Sequence, residues 1–519
     1  MSAALVLLLL TCLSVVPEPA QGPEPAQGPS TAALQLAARS RTRVSPESPL
    51  WHSTEQTLAW QPGETCVVVC DMWDDHWCKP SAARVNELAP VMNEVLQAAR
   101  AKGLLIIHCP SDTLDFYKNT PQRQLALAAP PFETQPALER WIRLMPQREA
   151  ALPIDDSDGG CDCDPPVESR RAWSRQHPAI EILPGDAITD SAEAFYLMKQ
   201  RGIRNVIVMG VHTNMCVLGR PFSIRQMVLQ GQNVVLMRDM TDTMYNPARA
   251  PFVSHFSGND LVVEHIEQYW CPTIESTVFT GRPAFRFSQD RRPRLTIVAS
   301  EPEYGTAESL TEFRHELQQD FQVSMVYGDA TDGSLLPGLD VLKSADLLLL
   351  STRRRTPPPA QLQLVRDFIA AGKPVVGIRT ASHPFHLRNQ PAPAGRADWS
   401  DFDLQVNGGH YTNHYGAGPE TTITLAAGVT PEHPLLQHVD TTRLRGKGSL
   451  YLVSPLAPST QPILIGSIPD QPAEPIAWLN RRADGGRTFY TSLGHTGDFA
   501  QPDFRKLLRN ACQLLTQPE

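Results

Sequence analysis

Past its leader, this 519-residue chain has no segment long and apolar enough to form a membrane helix. It also lacks any excess of positive charge: 46 Lys and Arg stand against 55 Asp and Glu, a net charge of −9. A partner rich in phosphate calls for a basic face, so nucleic acid is excluded. Cysteine is sparse, ten residues in all, too few for a disulfide scaffold. What is present, 41% hydrophobic and 19% charged residues, describes a globular protein with chain enough for two or three domains.

Proline, by contrast, is abundant. The 47 prolines gather in the first thirty residues, around 151–187 and in the last third, where they mark linkers and long loops. The N-terminus reads "MSAALVLLLLTCLSVVPEPAQG". Ala3 to Val16 has the length of a signal-peptide core, and small residues near Ala20 suit cleavage. Residues 1–20 are therefore expected to be a signal peptide, and the protein to be exported, periplasmic or extracellular. A lipoprotein tether through Cys12 in "LLTC" is the less favoured alternative. The repeat "PEPAQGPEPAQGP" cannot build a core, so 21–54 is expected to be a Pro-rich flexible linker. Export permits a disulfide or two. Cys161 and Cys163 in "GGCDCDPP" are expected to bridge to a distant cysteine rather than bind metal, with Cys66, Cys70, Cys78, Cys109 and Cys271 all open as partners. "DDSDGGCDCD" lacks EF-hand spacing and reads as an acidic loop.

From about Glu55 the pattern is regular. "TCVVVCDMW" reads as a buried strand, "ARVNELAPVMNEVLQAARAKG" as an amphipathic helix and "LLIIHCPSD" as a second strand. An irregular region follows from about Gln122 to Asp186. Alternation resumes with the strand "NVIVMGV" and runs on to "NVVLMRDMTDTM". The rhythm restarts at "LTIVASEPEYG" after the polar stretch "FSQDRRPR". Strands alternating with helices predict an α/β protein of two doubly wound parallel-sheet, three-layer units in tandem. The first covers 55–280, a linker 281–292 and the second 293–519.

Ligands of open parallel sheets bind beyond the carboxyl ends of the strands. In the first unit those ends carry Asp71 with Asp74, Asp75 and His76, then His108 with Asp112, then His212 to Cys216. A thiol in the first turn of a helix gains from the helix dipole and free N–H groups, which favour thiolate. A neighbouring carboxylate could take its proton. The bland alternative for Cys216 is an ordinary buried thiol.

Taken together, "VVVCDMWDDHW", "GVHTNMCVLGRPFSIRQM" and "VVLMRDMTDTMYN" resemble the isochorismatase-like cysteine hydrolases, which include nicotinamidases, over Thr65 to Ile274. The resemblance implies Asp71 as base, Cys216 as nucleophile and a cis bond at Val211–His212. Backbone groups from His212 through Met215 to Cys216 would form the oxyanion hole. It implies amide hydrolysis through a thioester, on a small-molecule substrate, and leaves room for a homo-oligomer. The family's third catalytic residue, a lysine, is missing from "HPAIEILPGDAITDSAEAF". Lys118 and Lys199 do not match its position, and Arg220 or His212 are the candidates to replace its charge. Asp75, His76, His108 and Arg220 are expected to line the pocket. A divalent metal on Asp74, Asp75, His76 and His108 is not favoured over a hydrogen-bonded polar rim.

In the second unit, "GKPVVGIRTASHPFH" looks like the elbow of class I glutamine amidotransferase-like folds. With "RTFYTSLGHTGDFAQPDFRKLLRNA" it resembles the trehalose-utilisation (ThuA-like) branch over Arg294 to Leu515. No cysteine stands at the elbow, so glutaminase chemistry is not implied. Ser382, His383, His410 and His495 are expected to line a cleft for a sugar or other polyol-like molecule. Two functions remain open: an exported hydrolase of small amides or related acyl compounds, with an appended binding domain, or a non-catalytic binding protein that keeps both folds.

Overall fold

The computed structural model describes residues 32–416 and 418–518. The signal peptide expected over 1–20, the alternative at Cys12 and the hexapeptide repeat lie outside the described residues. Regular structure begins well before residue 55. Strands β1 (Leu34–Arg43) and β2 (Trp51–Trp60) pair antiparallel from Leu34 opposite Trp60 to Arg43 opposite Trp51. The flexible linker expected over 21–54 is thereby corrected for its described part. The reason is a two-residue alternation beside the Pro-rich repeat: Leu34, Leu36 and Ala38 point inward, Gln35 and Ala37 outward. Beyond them, Arg39 Nε meets Glu267 Oε1 at 2.7 Å and Arg41 Nε meets Glu267 Oε2 at 3.0 Å.

The first sheet continues with β3 (Thr65–Cys70), β4 (Leu105–Cys109), β5 (Ala187–Ile188), β6 (Asn205–Val211), β7 (Asn233–Asp242) and β8 (Thr273–Ile274). Its order is β2-β1-β8-β7-β6-β3-β4-β5. Strands β3 to β8 are parallel, and β1 joins β8 antiparallel through Arg39 opposite Thr273. Successive side chains feed two cores: Cys66, Val68 and Cys70 enter one, Val67 and Val69 the other. Helix α1 (Lys79–Ala101) covers the second face with Leu88, Met92 and Leu96. Burial on both faces is why β3 reads as a continuous apolar run.

The second sheet has β9 (Arg294–Ser300), β10 (Gln322–Tyr327), β11 (Leu347–Thr352) and β12 (Val375–Ile378) in order β10-β9-β11-β12, all parallel, with Arg487–Thr491 parallel beside β12. The Gly- and Pro-rich tail then extends it antiparallel through Glu474–Arg481, Thr460–Ser467, Thr421–Leu425 and Arg445–Gly446. The connection from Ser467 to Glu474 is too short for a crossover, which parallel pairing needs. Both sheets are therefore mixed, with parallel centres.

The β1–β2 hairpin also reaches the second unit. Leu50, in its turn, is buried in the second unit's core. Gly338, at φ +81°, closes against the hairpin so tightly that a Cβ there would lie 2.3 Å from Ser53 O. Glu264 takes Arg41 Nη2 at 3.0 Å and Arg314 Nη2 at 2.6 Å, one cation from each unit.

Between Ala128 and Asp186 the chain has no long element among the described residues, yet it is firmly held. Glu149 accepts from Arg225 Nη2 (2.9 Å), His265 Nε2 (2.8 Å), Trp270 Nε1 (2.8 Å) and its own loop's Met145 N–H (3.0 Å). Burial opposes the ionised carboxylate, but the bonds from His265, Arg225 and Trp270 prevail and draw it down to about 2. A depressed acid stabilises the fold above its unfolded value, and that contribution drains away as pH falls toward the folded value. Glu149→Gln is expected to cost about 3 kcal/mol at neutral pH and to weaken acid unfolding in that window, measured by denaturant midpoints across pH.

Candidate active site

Asp71 follows directly on strand β3; its backbone adopts φ +46° and its side chain is fully buried. A left-handed non-glycine residue is costly and marks a position held by its surroundings. Asp71 Oδ1 accepts the Ser111 N–H at 2.8 Å, from the end of the neighbouring β4. Strand β6 ends at Val211, the Val211–His212 peptide is cis, and Cys216 opens the one-turn helix Cys216–Gly219. The Cys216 thiol bears on the Asp71 carboxyl. Arg220, one turn beyond, places Nε 3.4 Å from Asp71 Oδ2 and Nη2 3.7 Å from Asp112 Oδ2. Its guanidinium lies 5.5 Å from the Trp141 ring.

Arg220 therefore stands where a cation beside Asp71 was missing from the sequence pattern. Neither lysine considered for that place does so: Lys118 is exposed after a short helix, and the Lys199 ammonium sits 5.6 Å over the Phe195 ring. His212 is not the replacement either. Its Nε2 lies 2.6 Å from Ser81 Oγ, and burial, with His76 beside it, keeps the imidazole neutral.

The electrostatics reverse one expectation. Burial, then the Asp71 charge, push the Cys216 thiol well above its ordinary range, against the pull of Arg220. Burial also raises the Asp71 carboxyl, while Arg220 and Cys216 lower it. A single helical turn has little dipole to offer. Burial and the neighbouring carboxylate thus favour the thiol, against the thiolate expected from the helix start. Moving the thiol proton to Asp71 leaves the net charge beside Arg220 unchanged, so one cation serves both anionic partners in turn.

The oxyanion expectation is narrowed. The Met215 N–H is already donated to His212 O at 3.0 Å, and Val217 N–H to the same oxygen at 3.2 Å. That removes Met215 as a donor. The Cys216 N–H between them has no hydrogen-bond acceptor among the described residues.

A narrow cavity beside Asp71 is lined by Trp73, His76, Ser81, Val211 and His212. His76 belongs to it as expected, neutral because burial pulls it down to about 4, and stacked 5.7 Å from Trp173. Trp73 and Trp173 stack at 4.1 Å. Trp173 comes from the irregular region and gave no sequence signal. It is held there because Asp74 accepts from Ser174 N (2.8 Å) and Oγ (2.5 Å). Asp75 lies at the rim, paired with Lys79 at 2.6 Å. His108 is a correction: fully buried, it divides its nitrogens between Gln176 Oε1 (3.0 Å) and Asp186 Oδ2 (3.2 Å), so it supports the loop and does not line the cavity. Asp74, Asp75 and His76 are engaged with Ser174, Lys79 and the Cys78 N–H respectively, so as a rim they are already satisfied.

In the second unit the elbow residue after β12 is Arg379, at φ +43°, and Arg354 after β11 is at φ +50°. The Arg379 guanidinium carbon lies 4.3 Å from the Tyr304 ring and 4.6 Å from that of Tyr451. Ser382 Oγ meets His383 Nδ1 at 2.9 Å, and His383 stacks on Tyr411 at 4.6 Å. Burial, then Arg354 and Arg353, force His383 down to about 2, so it is neutral. His495 caps a helix through Gly497 N (3.0 Å), with its ring 5.6 Å from Tyr304. His410 is exposed and is not part of this cluster, which corrects its assignment. The arginines and tyrosines were the missed residues. Only their place at strand ends could have marked them.

Among solved structures, the chain is similar to a ThuA-like protein from Bacteroides uniformis, 18% identical, over 45% of this chain and 95% of that one, with a TM-score of 0.34. It is also similar to a cysteine hydrolase from Pseudomonas syringae pv. phaseolicola, 18% identical over 42% and 91% with a TM-score of 0.27. An isochorismatase family protein from Burkholderia thailandensis is 11% identical over 42% and 95%, with a TM-score of 0.25. Comparison with curated proteins gives no match. Residues 296–514, the second unit's parallel centre with its antiparallel extension, match the ThuA family, described as trehalose utilisation.

Proposed function

We propose that the first unit is a cysteine hydrolase of small amides or related acyl compounds. One observation carries the reading: Asp71, Cys216 and Arg220 meet in a buried cluster, and Asp71 also lines a narrow cavity walled by Trp73, His76 and His212. Cys216 Sγ attacks the carbonyl carbon while its proton passes to Asp71. The oxyanion faces the free Cys216 N–H. Asp71 then returns the proton to the leaving amine, giving a thioester and ammonia or an amine. Water attacks the thioester, loses a proton to Asp71 and releases the acid as the proton goes back to sulfur. Trp73, backed by Trp173, and His76 on the narrow cavity wall favour a small acyl group.

The test is ammonia release from a panel of small aromatic and aliphatic amides, with mass spectrometry of quenched reactions for an acyl adduct on Cys216. Turnover of a panel member with that adduct supports the reading. No turnover and no adduct across the panel would support the second function, a binding protein. Export rests on the leader over 1–20 and is tested by the N-terminal sequence of the protein isolated from its host.

For the second unit, we infer a binding site for a sugar or polyol that also carries negative charge. Arg354 Nη1 and Arg379 Nε are buried without a hydrogen-bond partner among the described residues, and the Arg379 guanidinium lies against Tyr304 and Tyr451. Arg354→Ala is expected to weaken binding of sugar acids or sugar phosphates about tenfold or more, read by calorimetry. Equal affinity for neutral and anionic sugars would refute it.

A further inference from the structure

Three of the seven cysteines whose pairing the sequence left open converge. The Sγ atoms of Cys78, Cys161 and Cys163 all lie within 4.8 Å of one another, and all three are free thiols. Cys78 is fully buried at the residue preceding α1, and the other two are half-buried in the acidic loop. Three sulfurs cannot all be joined as disulfides, since any pairing leaves one over. A single ion can take all three.

The cluster is built by the protein around it. Asp162, between the two loop cysteines, is clamped by Arg84 Nη1 at 2.8 Å and accepts from Cys78 Sγ at 3.3 Å. Asp156 accepts from Asn214 Nδ2 at 2.8 Å, and Asp158 from Asn246 Nδ2 at 3.0 Å. Gly160, at φ +69°, packs so closely on the β7 loop that a Cβ would lie 2.2 Å from Met244 O. Loop and helix start are thus fixed independently of any ion, as a preorganised site requires.

We propose that Cys78, Cys161 and Cys163 bind one zinc ion through three thiolates, with the fourth position open to solvent. Soft sulfur ligands select a thiophilic d10 cation over magnesium or calcium. Zinc–sulfur bonds of about 2.3 Å in a tetrahedron put sulfurs about 3.8 Å apart, so the thiols need to close by roughly 1 Å at most. Each thiol gives up its proton to solvent on binding, so up to three protons leave per ion. The ion would fasten the acidic loop to the start of α1. That helix also supplies Ser81 to His212 and Arg84, with Nε 2.7 Å from Asp242 Oδ2, to the end of β7. The inference does not depend on the hydrolase reading.

The test uses the full chain, reduced, stripped with chelator and then dialysed against zinc alone. The expected result is one zinc per chain by elemental analysis, with proton release on titration. Replacement by cobalt(II) should give a sulfur-to-metal charge-transfer band. Cys161→Ser and Cys163→Ser sit on the half-buried loop and are expected to fold, checked by circular dichroism. Each should weaken zinc at least a hundredfold, and the double variant should hold none. Zinc retained by the double variant overturns the assignment. So does a reduced wild-type chain that takes up none, or that takes up copper(I) but not zinc. A Cys78–Cys161 disulfide that forms in air even with zinc present also overturns it.

Discussion

Cys216→Ala is expected to abolish hydrolysis of any amide the protein turns over, by at least about a thousandfold in kcat, with KM little changed. The substitution removes the attacking atom and leaves Asp71, Arg220 and the cavity wall in place. Sulfur is replaced by hydrogen at a small, 8% exposed side chain, so the fold should survive, and an unchanged melting temperature is the control. Asp71→Asn should give a comparable loss for a different reason. The thiol keeps its proton, because burial holds it on sulfur once no carboxylate can accept it. A Cys216→Ala protein that still releases ammonia at the wild-type rate would end the hydrolase reading.

Arg220→Met carries the second large effect. Asp71 is raised by its burial and held from rising further mainly by Arg220. A buried aspartate whose folded value is raised favours the folded state at low pH, and that advantage is lost as pH climbs through the folded value. Removing Arg220 extends the shift upward, so the rising acid limb of kcat/KM should move to higher pH. The rate on the plateau should fall about a hundredfold, since a cation beside the developing charge is lost. Arg220→Lys should recover much of both, because it restores a charge without the planar fork. An unshifted pH profile in Arg220→Met would show that the guanidinium is only packing against Trp141.

The parts of this site that could be read from sequence are those fixed by strand ends. Asp71 and Cys216 follow apolar runs that must be buried strands, so their place at the sheet's carboxyl edge follows directly. Arg220 was legible as a candidate because it lies one turn past the cysteine. Nothing local could say that it, and not His212, turns toward Asp71. His108 shows the limit: a histidine at a strand end has two sides to choose from, and Gln176 and Asp186 decide it from sixty or more positions away. Trp173 is the same case, fixed by Asp74 across a gap of a hundred residues. Met215 failed as an oxyanion donor because its N–H is consumed within the turn itself. The β1–β2 hairpin was hidden by its neighbour, since a proline-rich repeat disguised the inward pattern of Leu34, Leu36 and Ala38. In the tail, short β-like runs were visible, but their antiparallel addition to the sheet depends on turns and not on periodicity.

That hairpin sets an order of events during synthesis. Its own two strands can meet as soon as they are made, yet they have nothing to rest on for a long time. The strand that receives it, Thr273–Ile274, and the hydrophobic layer that takes Leu50 are translated more than two hundred residues later. Contacts so distant along the chain are slow to form. A hairpin made early in synthesis is thus among the last pieces to be seated, and it locks both halves together when it arrives.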